Sequence, residues 1–275
     1  MKTALVLVLS GCAAWAQPQL QNARVETAAS AGSFRATYEA TVAAQRDPAW
    51  LGFAVEARPQ QGTVCCWTNQ CMGCGLEGRA DFRQVAPPPA GPVRLEGSRR
   101  RFVLIRALEG RVDKVRVFGE ECPLDAGGLR FVWLGEAKPL EVLPLLETYI
   151  REGREEGLHV LSQLADPAAT ELLIQTARND ARGNLRSKAL FWLAQQAAQK
   201  AAGVIQSAVE NDPDTQVRRQ AVFALSQLPR EQAVPMLIDV AKTSSHREAR
   251  RQAVFWLGQS KDARALNFIE SLLRP

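Results

Sequence analysis

The chain has 275 residues, 46% hydrophobic and 23% charged, which is too apolar for a disordered chain and long enough for two domains. Its net charge of +5 comes from 34 basic and 29 acidic residues spread along the sequence, with only small clusters such as Arg99-Arg100-Arg101. No basic stripe with interleaved aromatics stands out, which argues against a nucleic-acid partner.

Residues 1–16 read as an export signal: Lys2, the apolar run 4–9, then Ala14-Trp15-Ala16 ahead of Gln17. The run is far too short to span a bilayer, and no other long apolar stretch exists. Leu9-Ser10-Gly11-Cys12 also resembles the lipobox of bacterial lipoproteins, in which Cys12 would become the lipidated N-terminus. The segment ahead of Cys12 is short for that class, so cleavage after Ala16 and a soluble periplasmic or secreted protein is the first expectation. A lipid anchor at Cys12 is the second.

Residues 17–138 form the first predicted domain. Phe34, Tyr38 and Val42 recur at intervals of four, predicting a helix over 33–44. After Pro48 the pattern turns to β-like runs at 50–57, 93–96, 101–108, 111–118 and 129–134. Glu109-Gly110 joins two of them as a hairpin, and Asp125-Ala-Gly-Gly128 marks a turn ahead of the last. The expectation is three consecutive antiparallel strands with one face packed. Pro87-Pro88-Pro89-Ala90-Gly91-Pro92 reads as a stiff surface loop.

Five cysteines follow residue 16: Cys65, Cys66, Cys71, Cys74 and Cys122. In an exported chain the first expectation for them is disulfide bonding, with Cys122 tying the polar loop 62–78 to the sheet. Adjacent Cys65 and Cys66 should have different partners, since the ring they would close is strained. A zinc site built from Cys66, Cys71, Cys74 and Cys122 ranks second, because thiolates at x2 spacing can turn onto one tetrahedral ion. A redox pair at Cys71 and Cys74 ranks third, because no helix pattern follows directly to lower a thiol pKa. No cofactor is called for.

Residues 139–275 carry an internal repeat. Ala189-Leu-Phe-Trp-Leu-Ala194 recurs as Ala221-Val-Phe-Ala-Leu-Ser226 and Ala253-Val-Phe-Trp-Leu-Gly258, and Gly157-Leu-His-Val-Leu-Ser162 fits the frame one period earlier. Arg154, Arg186, Arg218 and Arg250 hold the same step, as do Ala169, Ala201, Ala233 and Ala265. Apolar positions spaced by three and four make each copy two amphipathic helices that stack on their neighbours into a solenoid. Asp180, Asp212 and Ser244 stand where the caps of first helices should be. The fold class is therefore α+β, a small antiparallel β-containing domain followed by an α-α superhelix.

The segment Asp212-Pro-Asp-Thr-Gln-Val-Arg-Arg-Gln-Ala-Val-Phe-Ala-Leu225 resembles the short bacterial HEAT repeat. The resemblance runs from about residue 140 to the end, and the N-terminal half looks like a recurring region of exported bacterial HEAT proteins. It implies a curved solenoid that binds other proteins, with Arg186, Arg218 and Arg250 in a structural ladder with turn acids. Some relatives act as bilin lyases, and no residue set here carries that activity over.

The aromatic residues Phe191, Phe223, Phe255, Trp192 and Trp256 fall at the repeat spacing and are taken as core packing. His159 shares the Phe column, and neither it nor His246 has a catalytic arrangement. The expected binding surface is the outward face of the second helices: Glu171, Gln175, Arg178, Ser207, Glu210, Asp239, Lys242 and Asn267. That face is polar and of mixed sign, which suits a protein or peptide partner. The chain is thus read as an exported, non-enzymatic adaptor. The alternatives are a metal-binding or thiol-redox protein centred on residues 65–74, or a purely structural envelope protein.

Overall fold

The computed structural model describes residues 17–58, 74–77, 99–196 and 199–274. The expected strand at 93–96, the proline-rich loop and the export signal lie outside them. The order is β1 (Leu20–Gln21), β2 (Arg24–Thr27), α1 (Phe34–Ala43), β3 (Ala49–Glu56), β4 (Cys74–Gly75), β5 (Arg100–Leu108), β6 (Arg111–Gly119), β7 (Leu124–Asp125) and β8 (Arg130–Ala137). Nine helices follow among the described residues: α2 (Pro139–Arg151), α3 (Glu156–Gln163), α4 (Pro167–Asn179), α5 (Gly183–Gln195), α6 (Gln199–Asn211), α7 (Thr215–Ser226), α8 (Arg230–Thr243), α9 (Arg247–Gln259) and α10 (Ala263–Leu273).

The main sheet has the order β2-β8-β3-β5-β6. β5 and β6 form the expected antiparallel hairpin, with Leu108 opposite Arg111. Glu109 and Gly110 between them both take positive φ (51° and 71°), the conformation of a two-residue turn whose twist matches its strands. The three-strand antiparallel expectation fails at β8, which pairs parallel to both β3 and β2 and does not touch β6. The physical reason lies in burial. Phe131, Val132 and Trp133 are buried on both faces of β8, which suits a central strand, whereas β6 opens with exposed Arg111 and Asp113, then alternates buried Val115 and Val117 with exposed Arg116, and is protected as an edge by its charges.

The period of two sends side chains to two different cores. Leu51, Phe53, Val103, Ile105, Val115 and Val132 face the helices. Trp50, Phe102, Leu104, Phe131 and Trp133 face a small parallel sheet of order β1-β7-β4, where Cys74, Leu76, Cys122 and Leu124 complete the packing. Gly52 sits where a Cβ would lie 2.5 Å from Phe131 Cζ and 3.0 Å from Leu104 Cδ2. Gly52→Ala should therefore destabilise the fold by about 1–3 kcal/mol through overpacking, read as a lower urea midpoint with unchanged slope.

Helices pair as α3/α4, α5/α6, α7/α8 and α9/α10, four copies of the predicted unit. The small-residue column is buried throughout: Ala169 and Ala201 are fully shielded, as are Ala233 and Ala265 within a few per cent. The capping expectation needs correction. The caps of α5, α7 and α9 are Arg182, Asp214 and His246. Asp180, Asp212 and Ser244 stand two residues earlier, each accepting the backbone N–H of residue i+2 at 2.9, 2.9 and 3.2 Å. They shape the turn that ends each second helix, because short polar side chains serve turns as well as caps.

The change from sheet to helices at 138/139 is not a break in packing. One cluster of buried side chains runs from Tyr38 and Leu51 through Leu146 and Leu161 to Leu257 and Phe268. Arg58 ties the sheet to the first repeat, donating its backbone N–H to Gln163 O at 2.8 Å and Nη2 to Thr170 Oγ1 at 2.6 Å. The hydroxyls of Tyr38 on α1 and Tyr149 on α2 hydrogen-bond to each other inside the core, and burial pushes Tyr38 up to about 12.

Candidate interaction face

The arginine column forms the ladder with turn acids that the family resemblance implies only at Arg186, while Arg218 and Arg250 bond to turn carbonyls. Arg186 is buried and forms a bidentate pair with Asp212 of the next repeat, Nε to Oδ2 at 2.8 Å and Nη2 to Oδ1 at 2.9 Å, while Nη1 caps Asp180 O at 2.8 Å. Arg218 and Arg250 cap the equivalent carbonyls, Asp212 O at 2.7 Å and Ser244 O at 2.6 Å. Arg154 departs from the column, pairing with Glu152 at 2.9 Å and lying over the Tyr149 ring.

The aromatic column divides. Phe191 and Phe223 are half-buried and Phe255 is 54% exposed, so these three rings are not core as the sequence reading had it, whereas Trp192 and Trp256 pack against the core. Together they form a ladder along the first helices. His159 stacks on Trp192 at 4.4 Å and 7°, and Phe191 packs edge-on against Trp192 at 5.0 Å. Phe191 lies parallel to Phe223 at 6.3 Å, Phe223 meets Trp256 at 5.2 Å, and Phe255 meets Trp256 at 5.0 Å. Such pairs add to stability beyond area burial, yet Phe191 and Phe223 stay half-buried and Phe255 exposed.

Burial, with a smaller contribution from the Lys188 charge, lowers the His159 pKa from 6.5 to about 4. The imidazole is neutral at pH 7. An unfolded chain binds a proton here below about pH 6.5 that the folded chain refuses until about pH 4, so this contribution to stability is complete above 6.5 and is lost as pH falls toward 4. His159→Phe should flatten the dependence of melting temperature on pH across that window, and an equal slope in both proteins would contradict the assignment.

The residues expected to bind a partner do lie on one row of helices. Glu171, Gln175 and Arg178 on α4, Ser207 on α6, Asp239 and Lys242 on α8 and Asn267 on α10 are exposed, and Glu210 on α6 is half-buried. Several already have work within the fold: Glu210 accepts from Ser245 N and Oγ at 3.2 Å, Asp239 accepts from Gln206 at 3.0 Å, and Lys242 lies over the Phe268 ring.

Sequence comparison missed a second column at the same step, Gln163, Gln195, Gln227 and Gln259, one turn after the ring column. Gln195, Gln227 and Gln259 are exposed beside the ladder. Gln163 is buried and accepts from Arg101 Nε at 3.4 Å at the junction with the sheet. The signal was available by the alignment that found the alanines.

Of the cysteines, Cys65, Cys66 and Cys71 lie outside the described residues. Cys74 and Cys122 are both buried in the small-sheet core. β4 pairs with β7, and Cys74 N donates to Pro123 O at 2.9 Å, so the end of the cysteine-rich loop returns beside Cys122. Burial raises the Cys74 pKa to about 11, opposite to the depressed value a reactive thiolate needs. Among the described residues no group of three or more His, Cys, Asp or Glu side chains is placed to hold a metal ion, and no described helix is long and apolar enough to cross a membrane.

Residues 170–254 and 201–275 match the family model for HEAT repeats. No curated protein matches the chain. Among solved structures, the complex of CpcE and CpcF of phycocyanin lyase from Nostoc sp. PCC7120 is similar, with 28% identity and a TM-score of 0.31 over 38% of this chain and 42% of that chain. The match thus spans less than half of that protein's length. The family match shows HEAT repeats over residues 170–275, the stretch that holds the last of the stacked helix pairs.

Proposed function

We propose that this is an exported protein-interaction scaffold that works by presenting the solenoid surface and has no catalytic centre of its own. The observation that carries the reading is the aromatic ladder. Rings repeated in step with the stack are left half open by a fold that buries the neighbouring leucines completely, and an exposed apolar stripe rimmed by polar groups is how interaction sites are built. The polar row Glu171 to Asn267 on the second helices is the other surface available to a partner.

A photo-crosslinking residue placed at position 255, and separately at position 175, tests this in the source cells. The reading expects discrete higher-mass adducts from position 255. Adducts from neither position would count against a scaffold and favour a purely structural role.

We further propose that cleavage after Ala16 delivers the chain to an oxidising compartment, where disulfides among the five remaining cysteines tie the segment 62–78 to the sheet through Cys122. The return of β4 to Cys122 supports this. Intact mass of protein from its native route should show an N-terminus at Gln17 and two hydrogens lost per disulfide. A lipidated Cys12 would make it an anchored lipoprotein, and stoichiometric zinc with free thiols would overturn the staple.

A further inference from the structure

We infer that the ladder face binds an extended polypeptide segment, with rings taking alternate side chains and the glutamine column pairing with its backbone. The inference rests on the scaffold reading and names the partner's chemistry. Each step along the face from α5 to α9 repeats the same pair, a ring and, four residues later on the same helical face, a carboxamide: Phe191 with Gln195, Phe223 with Gln227, Phe255 with Gln259. A carboxamide both donates and accepts, so it can pair with the N–H and C=O of any peptide unit whatever its sequence. Gln227 makes only a 3.2 Å contact to its neighbour Ser226, which a ligand can replace.

The spacing suits an extended chain. Ring centroids of Phe191 and Phe223 are 6.3 Å apart, close to the roughly 6.6 Å between same-face side chains of a strand. The planes of Phe191 and Phe223 are within 6° of parallel and those of His159 and Trp192 within 7°.

Charge narrows the partner further. One turn before the rings stand Lys188, Arg219 and Arg251. Lys188 faces Glu155 at 3.4 Å and Arg219 faces Glu248 at 3.9 Å, while exposed Arg251 leaves the α7–α9 end net positive. The segment that fits is apolar at alternate positions with acidic residues between or beside them.

A displayed library of random peptides of about twelve residues, selected on the mature chain, tests this. Selected clones should show alternating apolar and acidic positions, and their synthetic peptides should bind about tenfold or more weaker to a Gln227→Ala/Gln259→Ala double variant and to Phe255→Ser. Both variants alter exposed side chains, and unchanged melting temperatures confirm that the fold is intact. No enrichment overturns the inference. Clones that keep full affinity for both variants but lose it with Gln175→Ala and Asp239→Ala also overturn it, while leaving the scaffold reading standing on the other face. Ladder-dependent binding of a hexamer of N-acetylglucosamine, tested in parallel, would replace the peptide by a glycan.

Discussion

Arg186→Ala is expected to lower the stability of the chain by about 3–5 kcal/mol, the cost of breaking a buried ion pair by removing one partner. Arg186 and Asp212 are both buried, and three groups of the guanidinium are satisfied at once by the Asp212 carboxylate, Asp180 O and Ala181 O. Truncation strands the carboxylate with the Asp214 N–H as its remaining partner and frees the carbonyls that end α4. The pair also joins one repeat to the next, so its loss loosens a stack held by neighbour contacts. Arg218→Ala is the internal control. The residue in the place of Asp212 one repeat on is Ser244 rather than an acid, and Arg218 is only half-buried, so a loss of about 1 kcal/mol is expected. Urea unfolding of both variants decides the matter, and equal losses would show that the buried carboxylate is not what locks the repeats.

Leu225→Ala should cost about 2–5 kcal/mol, the range for deleting a buried leucine and leaving a cavity. Leu161, Leu193, Leu225 and Leu257 form one column at 0% exposure. Phe255, two residues before Leu257, belongs to the ladder, and Phe255→Ala should stay within about 0.5 kcal/mol because surface substitutions usually do. Thermal or urea unfolding of the two variants reads the difference. A small loss at Leu225 would mean that the repeat register is wrong.

What the sequence disclosed follows from how far apart the interacting residues are. Each repeat packs on its neighbour 32 residues away with the same residue types, so the alanine, leucine and arginine columns announced both the step and the core. Pairing of β8 with β3 joins residues about eighty apart, Ala49 with Arg130 for example, and no local pattern records such a choice. The hairpin was legible because Glu109-Gly110 fixes it within the turn itself. The phenylalanine rings were misplaced because size was allowed to stand for burial. The exposed glutamine one turn after each ring and the arginines one turn before Phe223 and Phe255 show which way that column faces. Asp180, Asp212 and Ser244 were misassigned by two residues, since a turn ahead of a helix uses the same side chains as its cap.

Hydroxyl-radical footprinting of the purified chain tests most directly whether the ladder is offered to a partner. Phe255 should be modified fast, Phe191 and Phe223 at intermediate rates, and Leu225 and Leu257 hardly at all. If Phe255 were protected to the same degree as Leu257, the stripe would be core packing and the first helices would present no apolar face to bind with.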